Sequence, residues 1–133
     1  MKSPKYLLKA ESKFTRFEFI SEGNKGAIQK LIEFQATSES EFYNLAFGDK
    51  DPLTGDINDL AVTNNGDTEK VLVTVVAALY VFFENYLTAF VYATGSTKTR
   101  TRLYRMGINK FTKNCKLIFI YTVRLGMIIR YLN

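Results

Sequence analysis

The sequence predicts an α+β domain: a mainly antiparallel sheet with one long helix packed on a face and a second, shorter, arginine-rich helix. Three observations predict it. Residues 14–34 hold two runs of β-formers around a Gly/Asn turn, and residues 67–86 repeat apolar side chains every three or four positions. The chain then returns to short apolar runs, interrupted by a Gly-Ser-Thr turn and a cluster of cations. At 133 residues, with a 47% hydrophobic fraction, the chain is one domain by size (residues 1–133) and buries a core without staples.

Residues 14–20 (FTRFEFI) put Phe17 and Phe19 on one face and Glu18 on the other, as a half-buried strand does. Residues 21–26 (SEGNKG) form a turn-rich connection of hairpin length. Residues 27–34 alternate again, Ile28, Ile32 and Phe34 opposing Gln29, Leu31 and Glu33, so the two runs read as an antiparallel hairpin. After polar residues 35–40, residues 42–47 make a third strand with Tyr43, Leu45 and Phe47 on one side. Pro52 and Gly55 break residues 48–56 into a loop, and residues 57–63 are a short fourth strand or an extended edge.

Asn64-Asn65-Gly66-Asp67 stops the sheet and starts a helix over 67–86. Asn65 or Asp67 supplies the cap, and Asp67 and Glu69 sit where the helix dipole favours acids. Leu72, Val75, Val76, Leu79, Phe82, Phe83 and Tyr86 form its buried face. The longest apolar run, 71–83, spans roughly 20 Å as a helix, short of the ~30 Å bilayer core, and reads as a buried helix with no membrane role. Residues 90–94 give another strand. The order is therefore β-β-β-(β)-α-β-α-β.

The absence of histidine excludes Ser-His-Asp and Cys-His nucleophile systems, a histidine general base and histidine metal sites. Cys115 is the single cysteine, which rules out an internal disulfide and a cysteine metal cluster and fits a reducing cytoplasm. Residues 1–10 hold only Tyr6-Leu7-Leu8 between lysines, too short for the core of a signal peptide, so a cytoplasmic protein is expected. Asp49, Asp51, Asp56, Asp59 and Asp67 raise the question of Ca²⁺. A loop starting at Asp49 has Leu53, Thr54 and Leu60 where an EF-hand needs an oxygen ligand, a glycine and a glutamate, so these acids read as a solvated region. No metal and no cofactor are expected.

Residues 90–108 are where the chain concentrates its chemistry. A strand enters a helix through Gly95, Ser96 and Thr97, leaving backbone N–H groups at the helix start, beside Lys98, Arg100, Arg102 and Arg105. Such donors suit an anion, although Ser and Thr there are also ordinary caps. A Gly-Ser pair after a strand suggests a nucleotidyltransferase, but no downstream carboxylates exist to hold Mg²⁺, and no phosphate loop with Gly-Lys-Ser/Thr is present. Arg100, Arg102, Tyr104 and Arg105 suit a phosphodiester or an acidic partner, while Leu103, Met106 and Ile108 turn to the core. The alternative is a set of surface arginines bridging to the acidic loop.

Net charge is +5, unevenly placed: residues 85–133 carry nine Lys and Arg and no acid, while all thirteen acids lie in residues 1–84. Either the basic half meets an anionic partner, or the two halves neutralise each other in the fold.

Two stretches, FGDKDPLTGDINDLAVTNNGDTEKVLVTVVAALYVF and ATGSTKTRTRLYRMGI, resemble a family of small bacterial proteins of unknown function. The similarity covers residues 6–109, most distinctively 64–75 and 93–108. It implies single-domain bacterial character and carries no catalytic residue over. Residues 111–133 depart from that pattern: they hold Lys113, Lys116, Arg124 and Arg130, no acid, and many Ile, Tyr and Phe. They read either as a strand pair, 117–123 and 127–132, completing the sheet, or as a frameshifted or replaced ending.

The resulting functional expectation is a non-enzymatic binding module with a basic surface for an unknown protein partner or for nucleic acid, the latter weak and salt-sensitive. The alternative is a small histidine-free ribonuclease-like toxin, of a toxin–antitoxin or defence system, working through Arg, Lys and Tyr.

Overall fold

The computed structural model describes residues 5–58, 64–93, 102, 105–110, 118–123 and 126–131. Alternating side chains build a seven-stranded sheet: β1 (Lys9–Ala10), β2 (Arg16–Gly23), β3 (Gly26–Ala36), β4 (Phe42–Asp49), β5 (Phe90–Ala93), β6 (Ile118–Val123) and β7 (Gly126–Tyr131). The spatial order is β1-β2-β3-β4-β5-β7-β6. Every neighbouring pair is antiparallel except β4 and β5. A parallel pair needs a crossover, and α1 (Thr68–Asn85) lies in the connection between these two strands.

The α+β expectation holds, with corrections at the edges. The β2–β3 turn is tighter than the predicted connection, since both strands run on until Gly23 pairs with Gly26. Gly48 and Asp49 belong to β4, because Leu31 and Lys30 pair with them before the loop begins. Ile57 forms only a bridge with Lys50, and residues 59–63 lie outside the described residues. The short edge strand β1 was not foreseen; two residues carry too little pattern to be read.

One face of the sheet packs on α1. Val71, Leu72, Val75, Val76, Ala78, Leu79, Phe82 and Phe83 are buried, at the three-and-four spacing the sequence shows. All of these except Leu72 join Phe17, Phe19, Ile32, Phe34, Val91 and Ala93 in one core. Phe82 is its centre, stacked on Phe34 at 4.2 Å and on Tyr86 at 4.7 Å, with Tyr43 edge-on at 5.1 Å. Within residues 111–133, residues 118–123 and 126–131 form the paired strands β6 and β7. β7 inserts between β5 and β6, and Met127 and Ile129 enter the same core at 1% and 0% exposure.

The opposite face carries the alternate residues. Over β2 and β3 it is closed by the loop after β4. Arg16 bonds the Gly55 carbonyl and pairs with Glu33 at 3.2 Å and Asp56 at 3.3 Å, while Lys50 reaches Glu18 at 2.5 Å. Leu31, which points to this face, is fully buried.

Candidate functional site

The sequence places the site at residues 95–105. Gly95, Ser96, Thr97, Lys98, Arg100, Leu103 and Tyr104 lie outside the described residues. Arg102 and residues 105–110 are helical; Arg102 is exposed and Arg105 half-buried. Ile108 enters the core at 2% exposure, as its apolar character predicts. Gly107 lies so close to α1 that an added Cβ would overlap Leu72 Cδ1. Those two residues set the face that turns inward. Met106 is therefore 60% exposed, correcting the expectation that it faces the core. A helix advances by about 100° per residue, so Met106 cannot share the contact made by its neighbour Gly107 and by Ile108 beyond it.

The ion pairs among the described residues lie mostly within the acid-rich half. Arg16, Lys30 and Lys50 of the acid-rich half are held by Glu11, Glu18, Glu33, Asp49 and Asp56 of that same half. Among the described residues one ion pair links the halves, Lys110 to Glu69 at 3.7 Å, with both side chains more than two-thirds exposed. Pairs of that kind contribute little. The acidic loop, one expected partner of the helical arginines, is engaged by Arg16, and Arg100 lies outside the described residues.

A second concentration of polar groups went unread in the sequence. Asp67 stands at the N-cap of α1 but makes no capping bond with its side chain. Its Oδ2 accepts from the Tyr6 hydroxyl at 2.5 Å and from the Ser21 hydroxyl. Asn65 Nδ2 donates to Ser21 Oγ at 3.1 Å and to the Gly26 carbonyl at 2.8 Å, and its Oδ1 accepts from Lys25 N–H. Gly66 takes φ +76°, which lets the chain turn sharply between these two residues. Asn65 and Asp67 thus bind the hairpin tip and the N-terminal arm to the start of the helix. Burial, and next the adjacent Asp67 carboxylate, push the Tyr6 hydroxyl above its ordinary value. Sequence separations of 39 to 61 residues hid these contacts from any local pattern. Beside this cluster, Tyr6, Leu7, Leu8, Lys9, Glu18 and Ile20 help line an open groove of about 710 Å³. At its wall, the hydrogen bond from Lys50 holds the Glu18 carboxyl below its ordinary range.

These features describe an α+β chain with a mainly antiparallel sheet and the helix α1 packed on one face. Residues 2–130 match the model of a family described as Family of unknown function (DUF6934), and the chain belongs to that family. The match extends well past residue 109, where the sequence resemblance ended, and takes in both β6 and β7. No curated protein and no solved structure matches the chain.

Proposed function

We propose that the chain is a non-enzymatic binding module of the bacterial cytoplasm, meeting an anionic partner through the basic surface that includes Arg102 and Arg105. The observation that carries this reading is the pairing pattern. Among the described residues, Arg16, Lys30 and Lys50 of the acid-rich half pair with acids of that same half, and one exposed ion pair reaches the basic half. Ile108 and Gly107 hold the helical segment against α1, which keeps Arg102 on the outside. The Tyr6–Ser21–Asp67 cluster offers no rival catalytic reading, because Ser21 is fully buried and both hydroxyls are already bonded to the carboxylate.

A 20-base-pair DNA duplex serves as a sequence-neutral polyanion to test this. Engagement of about three arginines gives a log–log salt slope near −2 to −3, and Arg102→Ala lowers its magnitude by about 1. Duplex binding indifferent to salt, or absent at low salt, overturns the proposal. Induced expression that arrests growth, and is relieved by Arg102→Ala, replaces it with the ribonuclease-like toxin.

A further inference from the structure

The β4–β5–β7 part of the sheet has a second face, turned away from α1, and its composition differs from that of the core. Val91, Ala93, Met127 and Ile129 point to the helix, so the register places Phe90, Tyr92, Ile128 and Arg130 on the opposite side. Phe42 and Asn44 join them from β4, opposite Phe90 and Tyr92. The rings of Phe42, Phe90 and Tyr92 are all only half-buried, and Asn44 is exposed. Phe42 and Phe90 stack at 6.0 Å with their planes 16° apart, and the Arg130 guanidinium lies 5.4 Å from the centre of the Phe90 ring. The Tyr92 ring extends over Gly126, where an added Cβ would lie 2.9 Å from its hydroxyl oxygen.

We infer that this face is a stacking platform for single-stranded nucleic acid. Each element of such a site is present. Aromatic rings on neighbouring strands, and two residues apart along one strand (roughly 6.6 Å), offer successive π-faces to unpaired bases. A guanidinium already layered on a ring supplies both a stacking plane and a phosphate partner. An exposed amide, Asn44, stands beside Tyr92 to bond a base edge. Charge favours an anionic occupant over an apolar one, and the aromatic faces favour unpaired bases over an acidic protein surface. The described positions of this face on β4, β5 and β7 include no acid, and the strands β5 to β7 belong to the stretch that has none. Two acids on neighbouring stretches are engaged: Glu41 accepts from Thr88 Oγ1 at 2.7 Å, and Glu33, on this face of β3, is paired with Arg16. Duplex DNA fits poorly, because its bases are stacked on one another and present no free faces.

The platform is on the opposite side of the sheet from α1, against which the arginine-bearing segment packs, so the two proposals fail separately. Fluorescence anisotropy with 5′-labelled oligo(dT), oligo(U) and a duplex of equal length measures the preference. Wild-type protein binds a single strand at least tenfold more tightly than the duplex. Phe90→Leu or Tyr92→Leu, which keep apolar volume on the sheet, weaken single-strand binding about 5- to 150-fold while duplex binding stays as it was. Arg102→Ala changes both ligands alike. Tighter binding of oligo(U) than oligo(dT) assigns the platform to RNA, and the reverse to DNA. Photo-crosslinking of 4-thiouridine to a peptide containing Phe90 or Tyr92 in the wild-type protein checks the site without any substitution. Equal affinity for single strand and duplex, with both ring variants unchanged and crosslinks elsewhere, overturns the inference.

Discussion

Asp67 illustrates how a single residue takes a role its position in the sequence does not announce. Its place before an apolar repeat reads as a helix cap, but the carboxylate turns back to Tyr6 and Ser21. The cap position was legible because composition and spacing are local; the partners were not, because they arrive from distant strands. Tyr6 also accepts from Glu22 N–H at 3.0 Å. Tyr6→Phe therefore strips one donor from Asp67 and leaves that N–H without its acceptor, a loss of about 1–3 kcal/mol measurable by denaturant unfolding. The Tyr6 hydroxyl is raised when folded, so its contribution is complete below pH about 10 and is lost as pH climbs through the folded value. Wild type should lose its advantage over Tyr6→Phe in that alkaline range, and parallel stability curves would contradict it. Glu18 runs the other way. Its carboxyl is lowered by Lys50, so its contribution is present above the ordinary glutamate value of 4.5 and fades as pH falls through the folded value. Lys50→Met should flatten the acid limb of the stability curve, though only modestly for a pair this exposed.

At the scale of elements, α1 was the most legible part of the chain. Its predicted span of 67–86 contains the observed Thr68–Asn85 with Asp67 and Tyr86 at the cap positions. Eighteen residues of consistent periodicity outweigh the strand preference of its valines. The second helical segment was less legible. Leu103, Met106 and Ile108 all looked inward-facing, but the close approach of Gly107 to Leu72 fixes which side packs. A glycine's close contact leaves no hydrophobic mark in the sequence. Phe82→Ala removes the ring that stacks on Phe34 and Tyr86, and Leu79→Ala empties a fully buried position. Each should cost about 2–5 kcal/mol, against a typical total of ~5–15 kcal/mol. Thermal melts unmoved by both substitutions would place α1 outside the core.

Across the whole molecule, the sheet accounts for the acid-free ending. Residues 118–123 and 126–131 pair as neighbours, and β7 supplies Met127 and Ile129 to the core that α1 covers. We propose that residues 111–133 are integral to the domain. Deleting them should expose Val91 and Ala93 along an open edge and cause unfolding or aggregation. A truncated protein with an unchanged melting temperature would restore the replaced-ending reading. The strand pair was one of two readings its apolar runs allowed. Its place between β5 and the edge was not, since strand order depends on crossovers that periodicity does not encode. The candidate site was legible only as a cluster of cations, and the ion pairs within the acid-rich half emerged from the fold. The central claim, that the basic half faces an anionic partner, is tested most directly by duplex binding across a salt series from about 50 to 200 mM. The account predicts affinity falling with a log–log slope near −2 to −3, shallower by about 1 in Arg102→Ala. A flat salt dependence, or an Arg102→Ala slope equal to that of wild type, would contradict it.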